Sequence, residues 1–312
     1  MKAVRYHEYG APEVLRVEEI PRPEPGKGQV LVKVVATSFN PIDAALRAGV
    51  FAKVIPLPLP YVPGLDIAGE VIAVGEGVDR WQVGDAVIGY LPRDIDGACA
   101  EYTAVPADVL TTAPATVPLS VAAALPLVGL TAWQALFEHA GLRPNQRVLV
   151  YGAGGAVGRM ALQIAASGGA YVVAATNTDQ SETAQANGAD LVVDYSTAGW
   201  QQTVGGPVDV LFTVAPAGTV NLTDLAPLIG PGGVLVSAAA PLPSDMPTEV
   251  RAVRMGSHPD ADQLAKLVAL VDAGKVRPPV DDVRRLEDVR AIHEAALAGT
   301  LPGKTVIRTD LS

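Results

Sequence analysis

Gly152, Gly154, Gly155 and Gly158 lie within seven residues of one another, in the stretch VLVYGAGGAVGR over 148–159. They stand between a short apolar run, Val148–Tyr151, and a segment with helical spacing over 156–167. A glycine turn that leaves a strand and opens a helix suits a dinucleotide. The missing side chains let the backbone approach a pyrophosphate, and the first amides of the helix, at Ala156 and Val157, present the positive end of the helix dipole. Read strictly, G-x-G-x-x-G fails, because the sixth position from Gly152 is Val157; the frame that fits is Gly152-x-x-Gly155-x-x-Gly158. The bland alternative is a turn that only packs strand against helix. The strand-turn-helix context favours the cofactor.

The next strand, YVVAAT over 171–176, chooses between the two nicotinamide dinucleotides. An acid at its end would accept the 2′-hydroxyl of NAD. Here Thr176 runs into Asn177 and Thr178, with no carboxylate before Asp179, and this leans to NADP, although no Lys or Arg follows to neutralise a 2′-phosphate. Other chemistries are missing their residues. There is no G-x-S-x-G, no H-E-x-x-H and no G-x-x-x-x-G-K-[ST]. Cys99 is the single cysteine, so no internal disulfide forms, and we expect it to be buried. His7, His139, His258 and His293 are scattered without ligand spacing and are expected at the surface or as caps.

The elements that must position the turn fall into two patterns. Runs at 30–36, 67–74 and 85–90 read as short strands separated by Gly-rich turns, with no long helix among them. From residue 119 onward helices alternate with strands: a helical 119–140, then strands at 148–151, 171–175, 190–193, 208–214 and 233–238, and a helix at about 260–274 expected to close this half. The alternation calls for a parallel, doubly wound sheet. The last strand-like segment, Gly303–Arg308, returns to the first half. The expected fold class is α/β, a Rossmann sheet over 118–279 plus a β-rich domain over 1–117 and 280–312.

Composition bounds the partners. Apolar residues make up 49% of the chain, charged residues 18%, and the formal net charge is −10. With no basic run, neither nucleic acid nor an anionic membrane surface is expected as a partner. The charged start MKAVRYHEYG lacks the apolar block of a signal peptide, and the apolar region 117–137 is interrupted by Pro118, Pro126 and Gly129. A cytoplasmic, soluble protein is expected.

The whole chain resembles the zinc-independent medium-chain dehydrogenases/reductases of the quinone oxidoreductase, or zeta-crystallin-like, group. The motifs that carry the resemblance are GAPEVL at 10–15, Asn40-Pro41-Ile42-Asp43 with Arg47 and Gly49, PGLDIAG at 63–69, Val83-Gly84-Asp85, GLTAW at 129–133, the glycine turn, Gly188-Ala189-Asp190 and Val193-Asp194-Tyr195. The β-rich domain is then GroES-like. Zinc-bearing relatives place a cysteine where this chain has Asn40, His-Glu where it has Leu65-Asp66, and a further ligand near Leu127, so no metal site is expected. The resemblance implies NADPH-dependent reduction of a quinone, or of the C=C bond of an α,β-unsaturated carbonyl, by direct hydride transfer to a small molecule, in a homodimer. A pathway-specific enoyl reductase and a catalytically weak, crystallin-like NADPH-binding protein are the alternatives.

The resemblance also assigns site residues. Asn40 is the catalytic candidate beside nicotinamide and substrate, unless it is simply a turn residue before Pro41. Thr131 and Val214 join Gly152, Gly154, Gly155, Ala156, Val157, Thr176 and Asn177 around the cofactor. Tyr195 is placed near the adenosine 2′-phosphate, or else is a half-buried strand-end residue. Asp43 and Arg47 are expected to pair and fix their loop. Ala45 stands where some relatives carry Tyr or Lys, and Gln180 where NADP binders of the family often carry Lys.

Overall fold

The computed structural model describes residues 1–216, 218–244 and 246–309. They form two compact units, one of residues 1–127, 258–272 and 278 to the C-terminus, the other of 128–257 and 273–277.

The first unit is built on the strand Gln29–Ser38, whose valines at 30, 32 and 34 are buried. It pairs antiparallel with Asp66–Val74, Tyr102–Pro106 and Thr305–Arg308. Ala86–Tyr90 and Leu110–Thr112 extend the sheet on one side, and Asp282–Arg285 closes the other. Val30, Val32, Val34, Ile67, Val71, Val87, Leu110 and Trp81 form the core beneath it. Lys2–Arg5 and Arg16–Glu19 make a separate ribbon. The short helix Pro41–Arg47 starts on a proline, whose missing N–H is not needed there. The helix Ala261–Asp272, expected to close the other half, packs instead on Leu110–Thr112, and the Asp272 carboxylate accepts the backbone N–H groups of Ala115 and Thr116.

The second unit holds a six-stranded, wholly parallel sheet. Its order is Leu191–Asp194, Tyr171–Thr176, Arg147–Tyr151, Val208–Thr213, Ile229–Ser237, Arg251–Arg254. The chain starts in the middle, winds one way for three strands, then restarts on the other side. The gap between Arg147–Tyr151 and Val208–Thr213 is therefore the topological switch point, where ligands of such sheets bind. The helix Ala156–Ser167 buries Met160, Ala161, Ile164 and Ala165 on one stripe against the sheet. The segment 119–140 is not one helix. It breaks into Leu119–Ala122, Pro126–Trp133 and a π-helical Gln134–His139, because Pro126 has no N–H to continue the first piece and instead opens the second. Among the described residues no helix is long and apolar enough to cross a membrane.

Candidate functional site

In the parallel unit the glycine turn leaves the strand Arg147–Tyr151 at the switch point and ends at Gly155, which takes the N-cap position of the helix Ala156–Ser167 without a side-chain cap. Arg159 N–H is the first to reach back, to Gly155 O at 2.8 Å. The amides of Ala156, Val157 and Gly158 are the orphan donors of a helix start. The three glycines of the frame do different work. Gly152 has φ +88°, a conformation that favours glycine, and a Cβ there would meet Val214 Cγ2 at 3.0 Å. At the buried Gly158 a Cβ would stand 2.7 Å from Ala153 Cα, so this glycine lets the helix close onto the turn. At the exposed Gly155 a Cβ would meet only Gly152 O, at 3.7 Å. No protein packing requires glycine at 155; the space outside it is open. Gly154 packs against Thr176 Oγ1 and Gln180 Cγ, each 2.9 Å from a Cβ placed there.

The ends of the neighbouring strands bring most of the other expected residues to the same edge of the sheet. Val214 N–H bonds Tyr151 O at 3.2 Å, Thr176 is buried, and Asn177 is exposed just beyond it. Tyr195 N–H reaches Thr176 O, and its half-buried ring stacks on Tyr151 with centroids 5.0 Å apart. Thr131 is buried in the helix Pro126–Trp133. The edge also holds a carboxylate that strand-end spacing did not reveal. Asp194 accepts hydrogen bonds from the hydroxyls of Ser196 and Thr178, and these bonds, Ser196 first, hold its carboxyl below the ordinary range.

In the β-rich unit Asn40 is buried at the head of the helix Pro41–Arg47. Its amide is fully engaged. Nδ2 donates to Asp66 Oδ2 at 2.8 Å and to Ser38 O at 3.3 Å, and Oδ1 accepts from Lys304 Nζ at 2.6 Å. The Asp66 carboxylate also accepts from Ser38 Oγ, from Lys304 Nζ at 3.2 Å, and from Leu127 N–H at 2.7 Å. Asp43 does not pair with Arg47. Its buried carboxylate accepts Asn40 N–H at 2.8 Å, and burial, reinforced by the Asp66 charge, pushes it up to about 7. Arg47 turns away, donating to Gly10 O and to His293 Nδ1 at 3.2 Å. His293 is thus neither a surface nor a capping residue. It is buried with its ring edge on Phe39, and desolvation pulls it down to about 3, so it is neutral. Cys99 is buried as expected, and burial raises its thiol.

Asp66, within PGLDIAG, and Lys304, within the strand-like segment Gly303–Arg308, carry no local sign of this cluster. A lysine in GKTVIR looks like an exposed strand start, and only the pairing of Thr305–Arg308 with Gln29–Ser38 carries it inside.

Comparison with known proteins decides the family. The chloroplastic quinone-oxidoreductase QR1 of Triphysaria versicolor is 31% identical, over 98% of this chain and 98% of its own. The chain belongs to the medium-chain dehydrogenase/reductase family. Residues 26–115 match the family described as alcohol dehydrogenase GroES-like domain, and 187–307 the one described as zinc-binding dehydrogenase. The chloroplastic NADPH-dependent alkenal/one oxidoreductase of Arabidopsis thaliana is 35% identical over 90% of this chain and 72% of its own. The solved quinone oxidoreductase from Coxiella burnetii superposes with a TM-score of 0.86 at 28% identity, covering 99% of each chain. The fold is thus that of a medium-chain oxidoreductase, GroES-like domain and Rossmann-like sheet together.

The zinc in the second family description does not fit this member. Asn40, Leu65-Asp66 and Leu127 do come together, but around a carboxylate already held by four donors, one of them an ammonium. A dication beside that ammonium would be repelled at short range. The set offers no thiolate and no imidazole, and among the described residues no three His, Cys, Asp or Glu are grouped to hold a metal.

Proposed function

We propose that this oxidoreductase reduces quinones, or the C=C bond of α,β-unsaturated carbonyl compounds, with NADPH and without zinc. The observation that carries the proposal is the glycine turn at the switch point, where Gly155 is open to solvent while Gly154 and Gly158 are filled by the protein's own packing. A pyrophosphate against Gly155 would take the orphan amides of Ala156, Val157 and Gly158. Gly152, Val214 and Thr176 shape the turn, and the exposed Asn177 is the neutral donor offered to a 2′-phosphate, since the Thr178 hydroxyl is already given to Asp194. Tyr195, stacked on Tyr151, forms a wall on the adenosine side. The names of the two relatives, a quinone oxidoreductase and an NADPH-dependent alkenal/one oxidoreductase, support the acceptor class and the coenzyme.

NADPH held at the glycine turn would supply a hydride that an electron-poor acceptor can take without a Lewis acid. The chain's part is orientation and stabilisation of the oxygen that gains charge. The candidates for this part are Thr131 in the parallel unit and Asn40 in the β-rich unit. Both Nδ2 hydrogens of Asn40 are committed, so donation to an acceptor oxygen means exchanging one bond. The longer one, to Ser38 O, is the one to exchange. Ala45 offers no proton, so water completes the reduction. A homodimer in the cytoplasm remains part of the proposal; the strand Arg251–Arg254, at the end of the parallel sheet, is an edge to which a second copy could add.

Cofactor oxidation across a panel of quinones and enones, with a chelator present, tests the proposal. NADPH should be consumed with several members of the panel, and NADH more slowly. NADPH left unconsumed by every acceptor would refute it.

A further inference from the structure

The Lys304 ammonium is enclosed with the polar cluster of the β-rich unit; its side chain is 2% exposed and that of Asp66 0%. Around Nζ stand three oxygens of three kinds: the amide Oδ1 of Asn40 at 2.6 Å, the carboxylate Oδ2 of Asp66 at 3.2 Å and the backbone carbonyl of Phe39 at 3.3 Å. Amide, carboxylate and carbonyl oxygens are what a hard cation gathers. They come from the loop at 39–40 and from the start of Asp66–Val74, while the cation comes from the start of the last strand. The arrangement also dictates the orientation of Asn40. With Oδ1 on the ammonium and Nδ2 on Asp66 and Ser38 O, every bond has a donor and an acceptor. The flipped amide would set N–H donors against an ammonium and an oxygen against a carboxylate.

We propose that this is a cation site closed by the chain's own side chain. The Lys304 ammonium serves as a tethered, non-exchangeable cation at the meeting point of Asn40 and Asp66, and with that side chain cut back the site binds a primary alkylammonium ion in its place. Asp66 Oδ1 keeps Leu127 N–H in either state, so the cage does not depend on the lysine for its outer connection. The proposal goes beyond the reductase reading and holds whichever acceptor is reduced.

The test is chemical rescue of Lys304→Ala, followed by thermal melting. Truncation should lower the melting temperature by roughly 10 °C, since it leaves the buried Asp66 charge without its counter-charge. Propylammonium, which matches the deleted atoms, should restore most of that loss saturably and leave the parent unchanged. n-Propanol, of equal size but uncharged, and tetramethylammonium, which has no N–H, should not. Asp66→Asn/Lys304→Ala should not respond to propylammonium. Zinc or potassium ions that stabilise Lys304→Ala but not the parent would also support a cation site. Rescue by n-propanol equal to that by propylammonium, or no rescue by any cation, would overturn the proposal. If Lys304→Ala does not fold, Lys304→Met is compared with Asp66→Asn/Lys304→Met, which removes both buried charges. The double variant should melt above the single one, and the reverse order would overturn the proposal.

Discussion

Asp43 and His293 place two titrations of opposite sign in the same buried cluster, and their separation is a sharp test of its geometry. Burial pushes Asp43 up to about 7 against the opposing pull of the Lys304 ammonium, so the native state binds its proton more tightly than the unfolded chain does. Its contribution is therefore full at acid pH, below about 4, and is lost as pH rises through about 7. Each pH unit between the two values is worth ~1.4 kcal/mol, so the loss approaches about 4 kcal/mol. His293 is pulled down to about 3, so the unfolded chain holds its proton more tightly. Its contribution is present above about 6.5 and is lost as pH falls towards 3, a loss of about 5 kcal/mol by the same conversion. Between about pH 4 and 6.5 the two slopes oppose each other, and the parent's stability should be comparatively flat there. Asp43→Asn keeps an acceptor for Asn40 N–H and should gain on the parent by up to about 4 kcal/mol from pH 4 to 8. His293→Gln keeps an acceptor for Arg47 and should gain on the parent by a similar amount from pH 6.5 to 4. Urea denaturation of the three proteins across pH 4–8 reads these differences. A parent-to-Asp43→Asn difference that does not change with pH would mean that the carboxyl is ionised normally and the burial argument is wrong.

Gly158→Ala should destabilise the fold by ~1–3 kcal/mol, because its methyl group meets Ala153 Cα at 2.7 Å, whereas Gly155→Val should leave thermal melting nearly unchanged and weaken NADPH at least tenfold in a fluorescence titration. Asp194→Asn, which removes a negative charge hydrogen-bonded to Thr178, should raise the preference for NADPH over NADH several-fold in paired calorimetric titrations. Prolonged chelation should leave turnover unchanged, and loss of activity restored specifically by zinc would contradict the placement of Lys304.

What the sequence made legible was local or periodic. The helix expected over 156–167 is the helix observed, because its apolar stripe at Met160, Ala161, Ile164 and Ala165 and its glycine boundaries lie within one short window. The parallel sheet follows from the alternating runs, whereas the switch point emerges only with the strand order. What stayed hidden depends on contacts between distant segments. Lys304 meets Asp66 across 238 residues and Arg47 meets His293 across 246, and nothing near either residue announces a buried partner. Asp43 and Arg47, one helical turn apart, looked like a pair by spacing, but the free N-terminal amide of their own helix captured the carboxylate first. Asp194 reaches the Thr178 loop only because Leu191–Asp194 lies beside Tyr171–Thr176 in the sheet.

The proposed reaction is direct hydride transfer from NADPH to an electron-poor carbon. The most direct measurement uses NADPH carrying deuterium at the transferred position of nicotinamide C4, with an α,β-unsaturated ketone as acceptor and a chelator throughout, and mass spectrometry and NMR of the product. We predict one deuterium on the β-carbon of the saturated ketone, a solvent-derived hydrogen on the α-carbon, and one NADPH consumed per product. Saturated ketone without deuterium at the β-carbon, or an allylic alcohol formed by reduction at the carbonyl, would contradict it.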